Sequence, residues 1–314
     1  MMQTTDITIL TDARYVAPAE MNTYVANILH EERLVREALE EAGLRVDRIN
    51  WDHPGVDWTN TRFILFRSTW DYFERFPAFW SWLEKASNQT AMINPYETIR
   101  WNLDKHYLGD LEKQGTHIPP TRFIEKGDSR TLESCLDGTG WEELILKPVV
   151  SGAARHTYRF TPDQAFSWEA TFRKLIRQEA MMIQEFQHQV LTRGEVALMV
   201  LGGKFTHAIL KKAKQGDFRV QDDFGGTVTP YTPTPGEIAF AEKVVGLCNP
   251  QPVYARVDAI WDNQNRLAVS ELELIEPELW FRFNPEAARQ LASAVVQHIA
   301  NYDSSLKYAE SKRL

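Results

Sequence analysis

The sequence predicts an α/β protein, and three observations carry that expectation. Over the first ninety or so residues, short apolar runs that read as strands alternate with amphipathic helical patterns. Beyond about residue 94 the strands come instead in neighbouring pairs joined by turn residues, which predicts α+β subdomains. At 314 residues the chain is long enough for two or three packed subdomains.

The elements follow in order. "ITIL" reads as a strand, "NILHEERLVREALEEAG" as an amphipathic helix ending at Gly43, and "RVDRINW" and "RFILFRS" as two further strands. In "FPAFWSWLEKA", Phe76, Phe79, Trp80 and Leu83 recur at helical spacing and read as core before they read as a binding surface. "INPYETIRWNLDKHYLGDLEKQG" predicts a turn and then one helix that Gly115 caps. "HIPPTRFI", "ELILKPVV" and "AMMIQEF" read as strands, "SGAARHTYRF" as a loop returning into a strand, and "SWEATFRKLIRQ" as a helix. "GEVALMVLGGKFTHAILKK" is a hairpin turning at Gly202 and Gly203, followed by a Gly/Pro/Thr-rich loop and the helix "GEIAFAEKVVGLC". "VYARVDAIWDNQNRLAVSELELI" closes the pattern as two strands joined by a polar turn.

Composition removes several classes. Hydrophobic residues at 43% and charged residues at 25% describe a globular chain. The net charge of −8, from 43 acidic and 35 basic residues, gives no electrostatic footprint for nucleic acid. There is no run of 18 apolar residues and no leader-like start, so the expectation is a cytoplasmic protein without a membrane partner. Cys135 and Cys248 fit no metal or redox spacing and read as two reduced thiols.

Near the C-terminal end, "VSELELIEPELW" places Glu271, Glu273 and Glu276 within six positions. On a strand Glu271 and Glu273 share one face while Leu272 and Leu274 fill the other. The hairpin with "ARVDAI" brings Asp258 to the same patch, and three carboxylates this close need a cation. Mg²⁺ held together with substrate phosphates is one answer. A surface ladder paired with lysines and arginines is another, and a glycosidase-like acid and base pair a third. Lys147 ends "ELILK" beside the small-residue loop "VVSGAAR", where ammonium and backbone N–H groups can hold phosphate oxygens, although no GxxxxGK[ST] signature occurs. Lys105 in "RWNLDK" is a helical lysine worth noting, and Lys211, Lys212, Lys214 and Arg219 form a basic run leading to Gly225 and Gly226. Arg67, Ser68, Trp70, Asp71 and Tyr72 follow the strand "RFILF", where ligands gather beyond strand ends; Trp70 and Tyr72 read equally well as packing between subdomains.

In this order the pieces resemble the ATP-grasp superfamily of carboxylate–amine ligases over about residues 94 to 300. The resemblance implies an N-terminal α/β domain over 1–93, a central ATP-grasp subdomain over 94–184, and a C-terminal subdomain carrying the metal site over 185–314. It implies ATP and Mg²⁺, with Lys105 and Lys147 on the phosphates beside Ser151 and Gly152. "IQEF", containing Gln184, Glu185 and Phe186, would line the adenine, and Glu195 would bind ribose, with Lys211 near the nucleotide. Asp258, Glu271 and Glu273 would be the magnesium ligands, Glu273 standing where many members have Asn. Arg256 would stabilise the acyl phosphate and the tetrahedral intermediate, with Lys147 adding charge stabilisation to the transferring phosphoryl group; Arg219 would contact phosphate or the substrate carboxylate, and Arg67, beyond its strand end, would hold the carboxylate of an amino-acid-like substrate. Within the superfamily the chain is similar to the glutathione-synthetase-like group. It is more similar to the cyclo-ligases that form D-cycloserine from O-ureido-D-serine, through "FRSTWDY", "NPYETIRWNLDK", "LKPVVSGAARHTYRF", "GDFRVQDDFGG" and "ELELIEPELWF". An intermolecular ligase or a non-catalytic ATP sensor would share the nucleotide residues, and a homo-oligomer is compatible with all of these readings.

Overall fold

A computed structural model describes residues 5–311 apart from 153, 215 and 220–224. The middle of "GDFRVQDDFGG" and one alanine of "VVSGAAR" therefore lie outside the described residues.

The chain begins with strand β1 (Thr5–Thr11), the short helix α1 (Ala13–Val16), helix α2 (Thr23–Glu41), strand β2 (Val46–Asn50) and strand β3 (Thr61–Ser68). Helix α3 (Phe76–Ser87) and strand β4 (Ala91–Ile93) complete a four-stranded parallel sheet of order β2-β1-β3-β4. Alternation along the strands explains why both faces are covered. Ile7, Ile9, Phe63 and Leu65 pack with Val35 and Leu39 of α2, whereas Leu10, Ile64 and Phe66 pack with Phe79 and Leu83 of α3.

Helices α4 (Tyr96–Asn102) and α5 (Tyr107–Lys113) replace the single predicted helix. The break releases Lys105 into a turn, where its backbone N–H donates to the Val149 carbonyl at 2.9 Å. Strand β5 (Thr121–Ile124), helix α6 (Leu132–Leu136), strands β6 (Leu144–Pro148) and β7 (Tyr158–Phe160), helix α7 (Ala165–Ile176) and strand β8 (Met181–Glu185) form a small antiparallel sheet of order β5-β8-β6-β7. Helices α6 and α7 cover its apolar face through Leu132, Phe172 and Ile176.

After helix α8 (Gln189–Arg193) come strands β9 (Glu195–Leu201), β10 (Lys204–Lys212) and β11 (Thr227–Tyr231), helix α9 (Pro235–Gly246), and strands β12 (Tyr254–Trp261) and β13 (Leu267–Glu273). They build a five-stranded antiparallel sheet of order β11-β10-β9-β12-β13. On β12, Ala255, Val257 and Ala259 pack toward α9 and α5, which turns Tyr254, Arg256 and Asp258 to the opposite face. Helix α10 (Glu286–Ser311) then returns to the N-terminal sheet, placing Leu291, Val295 and Ile299 against α2. The last helix thus closes the core of the first sheet. Among the described residues no helix is long and apolar enough to cross a membrane, and Cys135 and Cys248 are buried free thiols.

Candidate active site

The three sheets enclose a cavity of about 330 Å³. One wall is the polar face of β9, β12 and β13. The hairpin register sets Asp258 opposite Glu271 and Arg256 opposite Glu273. Between Asp258 and Ala259 the register slips, leaving Ser270 as an extra residue that turns into the same cavity as Glu271. Its hydroxyl donates to Glu195 Oε2 at 2.7 Å, joining β13 to the start of β9. Asn102 and Tyr107 hold β13 from behind: Asn102 Nδ2 donates to the Leu272 carbonyl at 2.8 Å, and Leu272 N–H donates to the Tyr107 hydroxyl at 3.0 Å. Neither brace carried a signal in the sequence.

The acids on this wall are already satisfied by cations. Lys211, 4% exposed, lies 2.8 Å from Asp258 and also contacts Glu195. Arg256 makes two 2.9 Å hydrogen bonds to the two Asp258 oxygens and a close ion pair with Glu273. Lys105 reaches Glu271 at 2.9 Å and the Ser151 carbonyl at 2.5 Å. Burial opposes ionisation of Asp258, yet Arg256 and Lys211 hold its carboxyl below the usual range; for Glu271 the same opposition is overcome by Lys105 and Lys147. Glu273 is different, because burial pushes its carboxyl up to about 8 despite Arg256.

Drawn apart by these cations, Asp258, Glu271 and Glu273 do not form a preformed metal cage: among the described residues no three His, Cys, Asp or Glu side chains converge on one ion position. Mg²⁺ needs only one or two carboxylates when phosphates supply the remaining oxygens, and this donor set fits that arrangement.

The opposite wall comes from the small sheet. Lys147, Ser151 and Gly152 line the cavity together with Gln184 and Glu185 at the end of β8 and Phe186 just after it. Burial pulls the Lys147 ammonium below its ordinary value, and no ion pair to it occurs among the described residues. Gly152 is dictated by space, since a Cβ there would meet the Phe73 ring at 2.6 Å. Arg219 also lines the cavity, paired with Asp217 at 2.7 Å.

The N-terminal sheet supplies the third side, and here the sequence reading needs correction. Trp70 and Tyr72 line the cavity, but Arg67, Ser68 and Asp71 do not. Arg67 is 3% exposed and donates from Nη2 to Glu31 at 2.8 Å and to the Pro277 carbonyl at 2.7 Å. Ser68 contacts Glu32 and Thr11, and Asp71 accepts from Trp51 Nε1 at 2.7 Å. These three tie the end of β3 to its surroundings, because that end is covered by the segment following β13 rather than open. The same segment brings Glu276, Glu278 and Trp280 into the cavity, none of which was assigned a role from the sequence. Arg256 stacks over Trp280, its Cζ 4.8 Å from the ring centre.

The arrangement matches known folds. Of solved structures, D-cycloserine synthetase DcsG superposes with a TM-score of 0.81 at 24% identity, covering 93% of this chain and 99% of that one. A RimK-domain ATP-grasp protein from Sphaerobacter thermophilus gives 0.64 at 16% identity, covering 92% and 98%. The chain has the ATP-grasp fold. D-alanine–D-alanine ligase from Bacillus anthracis shares this ATP-grasp fold, with a TM-score of 0.62 at 12% identity over 98% of this chain and 99% of that one. Residues 7–94 match the family model of the D-cycloserine synthetase DcsG N-terminal domain. The cycloserine biosynthesis protein DcsG of Streptomyces lavendulae is 27% identical over 278 residues, which is 84% of this chain and 92% of that protein.

Proposed function

We propose that this ATP-grasp protein is an ATP-dependent carboxylate–amine ligase that activates a small amino-acid-like carboxylate as an acyl phosphate, with ADP as the product of that step. The observation that carries the proposal is the pairing of two walls: an acidic sheet face with Arg256 at its centre, and across the cavity Lys147, half-buried and without an ion pair among the described residues. The similarity to the DcsG protein of Streptomyces lavendulae supports a substrate like O-ureido-D-serine, closed intramolecularly toward D-cycloserine.

In this reading Gln184 to Phe186 receive the adenine and Glu195 the ribose, while Lys105 and Lys147 hold phosphate oxygens. Asp258, Glu271 and Glu273 would hold Mg²⁺, which neutralises phosphate charge when bound. Arg256 lies where negative charge develops on the transferring group and on the tetrahedral centre, and its burial strengthens that stabilisation. Lys105 and Lys211 exchange their carboxylate partners for phosphate as the nucleotide enters. The chain would work in the cytoplasm, and the domain divisions at residues 93 and 184 belong to this proposal.

Isotope transfer tests it. With O-ureido-D-serine labelled by ¹⁸O in its carboxylate, one labelled oxygen is expected in the released phosphate. Released phosphate that carries no label would show ATP hydrolysis without carboxylate activation.

A further inference from the structure

Two acids that line the cavity, Glu185 and Glu276, lack an ion pair among the described residues; Glu185 accepts from Gln187 Nε2 at 3.2 Å. Asp258, Glu271, Glu273 and Glu278 each form an ion pair, with Lys211 and Arg256, Lys105, Arg256 and Arg282 respectively. Glu276 lines the same cavity beside Tyr72, yet among the described residues no lysine, arginine or histidine is within ion-pair distance of it.

The direction of Glu276 is set by its frame. Its backbone carbonyl accepts Trp70 Nε1 at 2.9 Å, and the next carbonyl, of Pro277, accepts Arg67 at 2.7 Å. Two anchors on consecutive residues hold this segment across the end of β3 and leave the carboxylate facing the cavity. The surrounding side chains are aromatic: Trp70, Tyr72 and Tyr24 line this end, with the Tyr24 and Trp70 ring centres 6.2 Å apart. A carboxylate in an aromatic-lined recess, with no cation of its own, is left uncompensated unless a ligand brings the charge.

We infer that Glu276 receives a primary ammonium group of the substrate, with the faces of Trp70 and Tyr24 flanking that cation. This deepens the ligase reading, on which the placing of the substrate rests, and restricts the substrate to carboxylic acids bearing a free amino group. The ammonium end then lies against the N-terminal sheet, and the carboxylate end extends toward Arg256 and the nucleotide. A charge-assisted hydrogen bond of this kind is worth about 10- to 100-fold in affinity. Glu276 is a specificity residue and takes no part in phosphoryl transfer.

The experiment is equilibrium binding to the full chain loaded with Mg²⁺ and the non-hydrolysable analogue AMP-PNP. The probes are O-ureido-D-serine, D-serine and D-alanine, each beside its α-N-acetyl counterpart, against wild type, Glu276→Gln and Glu276→Asp. The expected result is that the free amines bind at least about tenfold more tightly than the acetylated forms. Glu276→Gln removes that preference, Glu276→Asp keeps part of it, and AMP-PNP affinity stays within about twofold in both variants. Equal binding of amine and acetylated forms, survival of the preference in Glu276→Gln, or no binding by any probe overturns the inference. ADP release from ATP, followed in parallel, reads the ligase proposal separately: amine preference without release sinks the ligase and leaves the ammonium site standing.

Discussion

At the scale of single residues, two cations make opposite predictions. Arg67 neutralises Glu31, whose carboxylate also accepts the Leu279 N–H at 2.8 Å. Arg67→Ala would strand that charge, so urea unfolding should show a loss of about 3–5 kcal/mol, with AMP-PNP affinity retained by the fraction that stays folded. Lys147 has no such partner among the described residues and is held below its ordinary pKa by burial. Lys147→Met should therefore leave stability unchanged or raised, while AMP-PNP binding measured by calorimetry weakens about 10- to 100-fold. The sequence distinguished these two lysine and arginine positions poorly. Lys147 was legible because a strand end beside a small-residue loop is a local pattern. The burial of Arg67 depends on a segment 210 positions away, which no local pattern reports.

At the scale of elements, the β12–β13 hairpin is the feature the sequence displayed best. Alternation alone put Glu271 and Glu273 on one face, and the polar turn implied their pairing with Asp258. The bulge at Ser270 was invisible because it arises from register, not residue type. The turn itself is held by Asp262, which is 1% exposed, accepts the Arg266 N–H at 2.7 Å, and contacts His117 at 2.7 Å. Burial raises the Asp262 pKa, but the Arg266 backbone N–H and His117 outweigh it, so the folded value lies below the unfolded one. The stability it contributes is therefore present above the unfolded value and is lost as pH falls through the folded one. Asp262→Asn should cost about 1–3 kcal/mol at pH 7, and the gap from wild type should close in unfolding experiments run on the acid side. A gap that widens on acidification would show that Asp262 is not ionised in the fold.

At the scale of the whole molecule, the site exists because three sheets meet. The acidic wall, the Lys147 loop and the aromatic end come from β9–β13, β6–β8 and the N-terminal sheet respectively. Helix α10 locks the last segment to the first by packing on α2. The α/β beginning was readable from periodicity, and the ATP-grasp resemblance came from the order of several weak motifs, none decisive alone. The break between α4 and α5 escaped because propensity favours one continuous helix there, whereas the turn is held by the Lys105 contact with Val149. Closing nucleotide between these walls should stabilise all of them together: AMP-PNP with Mg²⁺ at a hundred times its dissociation constant should add about 2.7 kcal/mol, seen as one cooperative rise in melting temperature. Separate transitions would show that the sheets do not share the ligand. Measuring ADP release from Mg·ATP with and without O-ureido-D-serine, for wild type and Asp258→Asn, tests whether this cavity activates a carboxylate. Release should depend on the amino-acid substrate and disappear in the variant; release that is indifferent to substrate, or that survives in Asp258→Asn, would contradict the ligase assignment.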